Sequence, residues 1–103
     1  MAGKHFIQLM AEEAPAARKA FFDLADTLKN DCGLEEKTFQ LIYIAIKASM
    51  GEAGSVSAHS GYAKKAGATR EEVIGAVLVT LMTHGITGVS ACLDAAIDAY
   101  DKE

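Results

Sequence analysis

Tryptophan is absent from this chain of 103 residues, and proline occurs once, as Pro15. The two cysteines, Cys32 and Cys92, lie sixty positions apart, which excludes a CxxC redox pair and a zinc knuckle. Reduced thiols in a cytoplasmic protein are the reading that this spacing favours, with one long-range disulfide left open. Basic residues are scarce and scattered, ten against fourteen acidic ones, with no run longer than Lys64-Lys65. At a formal net charge of −4 the chain has no nucleic-acid footprint, which needs Lys and Arg clustered on one face. The only histidines are His5, His59 and His84, and none lies at HExxH or other short ligand spacing, so no metal is expected. Nor is a cofactor implied. The glycine-rich points, Gly51 to Gly54 and Gly85 to Gly88, follow no strand and lack the lysine of a phosphate loop. Long apolar runs are missing too. Val73 to Met82 covers about half a membrane span and reads as a buried helix. The opening stretch MAGKHFIQLMAEEAP is interrupted by Gln8 and followed by acids, unlike a secretory signal.

What remains is a greasy chain of helix length and helix period. Half of the residues are apolar and the mean hydropathy is +0.14. The length suits one domain, and a chain so short has little interior in which to hide that surface. The expectation is a homo-oligomer with an apolar interface. The alternative is a monomer whose many alanines each expose little area.

Pro15 stands where a helix could begin, and Ala17, Phe21, Leu24, Ala25 and Leu28 then recur at three- and four-residue spacing. Asn30-Asp31-Cys32-Gly33 ends that helix. A second runs from Leu34 or Glu35 to Met50, with Glu35 and Glu36 complementing the dipole of its first turn. A strand competes at Leu41 to Ile44, but the fifteen residues to Ser49 hold no turn signal. Gly51 and Gly54 bracket a break before a short helix from Ser55 to Ala66, stopped by Gly67. Thr69 and Glu72 have capping-box spacing and open a helix to about His84. Thr87 is available to cap the last helix, where Val89, Cys92, Leu93, Ala96, Ile97 and Tyr100 share one face. Nothing alternates like a sheet. The class is all-α.

The most suggestive polar group is Glu52, Ser55 and His59, three and four residues apart and so on one side of a continuous helix. A part-buried imidazole beside a hydroxyl and a carboxylate suits a general base. The plainer reading pairs Ser55 with His59 and leaves Glu52 in solvent. Gln40 is the lone polar residue in the apolar middle of the second helix, and Lys47 lies two turns along. A buried amide needs partners, so Gln40 either orients a substrate or ties two helices together. His84 reads as a complement to a helix C-terminus. Cys92 is expected to be buried and inert, and Cys32 exposed without a group that activates it.

Taken in order, Lys37 to Ala45, the break, the short helix carrying His59, and Ala66-Gly67-Ala68-Thr69-Arg70-Glu71-Glu72-Val73-Ile74 resemble the carboxymuconolactone decarboxylase and alkylhydroperoxidase D family over roughly Glu35 to Ala95. The resemblance implies a single-domain helical bundle of five to six helices that assembles as a trimer or hexamer. It also implies that His59 matches the histidine of the peroxidase motif Cys-x-x-Cys-x-x-x-His. The two cysteine positions then fall on Glu52 and Ser55, and an upstream glutamate falls on Gln40. A thiol peroxidase needs one thiolate to attack and a second thiol to resolve, so dithiol chemistry is not expected at this degenerate CxxC.

Three functions compete. One is a decarboxylase or lyase acting on a small organic acid, with His59, Ser55, Glu52 and Gln40 at the centre and Lys47 or Arg70, chosen by residue type, neutralising the substrate carboxylate. The second is a redox enzyme through Cys32 and Cys92. The third is a non-enzymatic oligomeric protein that binds a small molecule on the same scaffold.

Overall fold

The computed structural model describes residue 3 and residues 5–102, and these contain seven helical segments and no strand. The chain divides into two compact units, one ending at Leu34 and the other beginning at Glu35.

The first unit holds α1 (Phe6–Glu13) and α2 (Pro15–Asp31). Pro15 opens α2 at its first turn, where a missing amide hydrogen costs nothing. The eight residues of α1 go unrecognised in the sequence because Gln8 interrupts their apolar stretch and no usual capping residue precedes them. His5 takes that role, its Nδ1 accepting from the Ile7 amide at 3.2 Å. Neither helix contains a buried residue. Cys32 ends α2 in an exposed position, and Gly33 follows in the left-handed region at φ +83°.

The second unit holds α3 (Glu36–Ser49), α4 (Ala53–Lys65), α5 (Arg70–Leu78), α6 (Thr80–Thr83) and α7 (Ile86–Lys102). Gly51 supplies the left-handed turn between α3 and α4. Gly54, expected in the break, lies inside α4, which starts two residues earlier than its sequence suggests. The capping box of α5 forms as its spacing requires. The Glu72 amide donates to Thr69 Oγ1 at 3.0 Å, and the Thr69 amide donates to Glu72 Oε1 at 2.8 Å. That amide, aided by Lys37 Nζ at 3.3 Å, holds the Glu72 carboxyl below its ordinary range.

The helix expected from Arg70 to His84 is divided at Val79 into α5 and the single turn α6. The buried Thr80 hydroxyl donates to the Val77 carbonyl at 2.7 Å. Thr87, expected as a cap, is already within α7, because the turn is made earlier by Gly85 at φ +89°.

The core of this unit is built from small and branched side chains: Ile44 and Ala48 of α3, Val56 and Ala63 of α4, Val73 and Val77 of α5, and Cys92 and Ala96 of α7. Small residues let the helix backbones approach closely. The tightest approach is at Gly88, where an added Cβ would collide with the Ala48 carbonyl oxygen and lie 3.0 Å from its carbon. The obstacle is backbone and cannot rotate away. We expect Gly88→Ala to destabilise the fold by about 1–3 kcal/mol despite the better helix propensity of alanine, read as a lower urea midpoint. An unchanged midpoint would show that α3 and α7 are looser than their backbones suggest.

Candidate functional site

A polar stripe runs along α3. Glu36, Gln40, Tyr43 and Lys47 are spaced by four, three and four residues and so share one face. Gln40 is 3% exposed, the only polar residue of α3 that is buried. A buried amide left without partners costs about 1–3 kcal/mol, so its hydrogen bonds have structural weight. Both ends of the amide are engaged. Gln40 Nε2 donates to Glu36 Oε2 at 3.0 Å, and Gln40 Oε1 lies 2.7 Å from His59 Nδ1 of α4.

The His59 ring is half-buried and stacks on Tyr43, centroids 3.7 Å apart and planes 17° from parallel. Tyr62, one turn further along α4, meets it edge-on at 4.9 Å. Beyond Tyr43, Lys47 Nζ lies 5.9 Å from the phenol ring centroid and donates to Glu52 Oε2 at 2.7 Å. That carboxylate raises the Lys47 pKa above its ordinary value, so the ammonium keeps its charge throughout the neutral range. The result is a connected group, Glu36–Gln40–His59–Tyr43–Lys47–Glu52, that straddles α3 and the start of α4.

Of the residues expected to act together, the structure gathers His59, Gln40, Lys47 and Glu52, by a route that differs from the expected one. Ser55 is half-buried in the first turn of α4, but His59 finds its hydrogen-bond partner in Gln40, nineteen residues upstream. Glu52 joins through Lys47 and Tyr43. The fully buried hydroxyl of α4 is that of Ser60, which donates to the Val56 carbonyl at 2.7 Å. Arg70 is paired with Asp101 of α7, Nε to Oδ1 at 2.9 Å and Nη2 to Oδ2 at 3.3 Å. This pairing raises the guanidinium pKa and lowers that of the carboxyl. Cys32 and Cys92 are both free thiols, and burial pushes the Cys92 pKa up, with Asp94 adding to it. Among the described residues, no group of three or more His, Cys, Asp or Glu side chains is placed to hold a metal ion.

Three residues of this group go unread in the sequence. Glu36 passes for a helix-dipole residue, and Tyr43 and Tyr62 pass for packing. The four-three-four spacing along α3 and the i, i+3 pair His59 and Tyr62 were the available signals.

The class this arrangement defines is a helical scaffold holding a histidine between two tyrosines and a buried amide. Comparison with known proteins places it further. The carboxymuconolactone decarboxylase family matches residues 15–98, and the chain belongs to that family. No curated protein matches. Among solved structures, the chain is similar to a "putative carboxymuconolactone decarboxylase" from Burkholderia xenovorans LB400, at 20% identity and a TM-score of 0.87. The match covers 98% of this chain and 79% of that one. At that identity the likeness is one of fold.

Replacing Gln40 by alanine removes both hydrogen bonds and leaves a space in the α3–α4 contact. The expected loss is about 1–3 kcal/mol in chemical denaturation. In a double-mutant cycle with His59→Ala, the two losses should fall short of adding, by at least about 0.5 kcal/mol. Full additivity would mean that the pair contributes nothing as a pair.

Proposed function

We propose that this chain is a proton-transfer enzyme of the decarboxylase or lyase type, acting on a small organic acid with His59 as the group that exchanges the proton. The observation that carries this reading is the 2.7 Å contact between His59 Nδ1 and the buried Gln40 amide, which anchors one ring nitrogen, and proton exchange is assigned to the other. When a carboxylate is lost as carbon dioxide, its bonding electron pair stays on the substrate carbon and must be protonated. An imidazolium at Nε2 delivers that proton and recovers it from solvent. The Lys47 ammonium is the nearby positive charge for the substrate carboxylate, which has to share it with Glu52. Ser55 belongs to the same turn of α4 and is assigned to substrate contact. Arg70 is left out of this assignment because Asp101 already occupies its guanidinium.

Peroxidase chemistry gains no support. The family's cysteine positions fall here on Glu52 and Ser55, and the raised pKa of Cys92 reduces its thiolate. A second reading, passive binding of a small molecule without turnover, is favoured by one observation. Three open grooves, between α3 and α5 and at two places on α7, are lined by other residues, and His59 lines none of the three.

Assembly as a homo-oligomer, a trimer or hexamer, belongs to the same proposal. Ile46, Met50, Val79, Met82 and Ile86 are each more than half exposed, a large apolar surface for a chain this short. The free thiols fit a cytoplasmic setting, and no helix among the described residues is long and apolar enough to cross a membrane.

With carboxymuconolactone as the probe and carbon dioxide release as the readout, His59→Asn is expected to lower kcat by about a hundredfold or more while the assembly keeps its mass. Asn still offers Gln40 a donor, so the packing survives. Retained turnover in the variant removes His59 from the chemistry, and no turnover in the wild type favours passive binding. The assembly is checked separately by sedimentation equilibrium. Several subunits per particle are expected, with Met82→Lys shifting the particle towards monomer, and a wild-type monomer at micromolar concentration would refute the oligomer.

A further inference from the structure

The hydrogen bonds on either side of Gln40 have a direction that chemistry imposes. Glu36 is a carboxylate at neutral pH and can only accept, so the amide must turn its NH2 group towards it, as the 3.0 Å bond from Nε2 records. The amide oxygen is thereby turned towards His59, and an oxygen without a proton can also only accept. At 2.7 Å the ring atom facing it, Nδ1, therefore has to carry hydrogen. Reversing the amide would set its oxygen against the carboxylate, acceptor against acceptor. The neutral imidazole then has its lone pair on Nε2. Tyr43 stacked on one face and Tyr62 against the edge keep the ring from turning over and exchanging its nitrogens.

We infer that Glu36 is a positioning residue: acting through the buried amide of Gln40, its carboxylate holds His59 in the Nδ1–H tautomer and so makes Nε2 the atom that takes up and gives back the proton. The consequence for turnover rests on the proposed role of His59, whereas the tautomer does not. The relay also differs from a carboxylate bonded directly to histidine. At Nδ1 the ring meets a neutral amide, which stands between it and the Glu36 carboxylate.

The test is to record the ring-nitrogen shifts of His59 by long-range nitrogen–proton correlation above its titration, in the wild type, Glu36→Gln and Glu36→Asp. The wild type should show a pyrrole-type Nδ1 and a pyridine-type Nε2. Glu36→Gln presents both a donor and an acceptor to Gln40. It removes the constraint and should move the shifts towards a mixture of tautomers, while Glu36→Asp should restore them at least in part. Glu36 is exposed at the first turn of α3, so its variants are expected to fold. If the wild type turns over carboxymuconolactone, Glu36→Gln should lower kcat by roughly two- to tenfold with little change in KM, since the correct tautomer is diluted and not abolished. A wild-type His59 protonated at Nε2, or a Glu36→Gln spectrum identical to the wild type, overturns the inference even if His59→Asn abolishes turnover. Conversely, the expected shifts together with an active His59→Asn variant sustain the inference and remove the function proposed for His59.

Discussion

A buried amide that has to satisfy both of its ends is the constraint around which this structure is organised. Gln40 sits on the inward face of α3 with Ile44 and Ala48, in the stripe that supplies the apolar core. An amide in that stripe is tolerated only where donor and acceptor both find partners. Its carbonyl finds one across the helix contact, in His59, and its NH2 finds one a turn earlier, in Glu36. Packing of α3 on α4 therefore also gives the imidazole its partner.

The charges nearby are arranged so that the site is charged but internally compensated. Lys47 is matched by Glu52 across the α3–α4 turn, and Lys37 is matched by Glu72 at the start of α5. Such exposed pairs add little stability on their own. Their effect is positional, since Lys47 is held beside Tyr43 and the aromatic face that supports His59. The carboxymuconolactone decarboxylase family matches this chain over residues 15–98, and within that span Glu52 and Ser55 set a carboxylate and a hydroxyl ahead of His59. The histidine is supported by the buried Gln40 amide.

Much of the fold was legible because its signals are local. The capping box at Thr69 and Glu72 forms from residues three apart, and α3 declares itself by fourteen residues without a turn signal. The misreadings are those in which a local signal meets a competing one. Gly54 resembles a break but is absorbed into α4, because Gly51 alone makes the turn. The division of the Arg70–His84 segment at Val79 leaves no mark in periodicity, since Val79 itself keeps a helical conformation. The short α1 was hidden by Gln8 and capped by a histidine, a residue type not usually read as a cap.

The candidate site divides along the same line. Composition and spacing alone suggested that His59 is at least partly buried and marked Gln40 as a polar residue in an apolar stripe, because a helix repeats every 3.6 residues wherever it lies. Which partner each would choose was decided by tertiary structure. Ser55 is one helical turn from His59 and Gln40 is nineteen residues away, yet packing of α4 on α3 brings the distant amide to 2.7 Å. Sequence neighbours set which groups share a face. Only the contact between helices determines what that face meets.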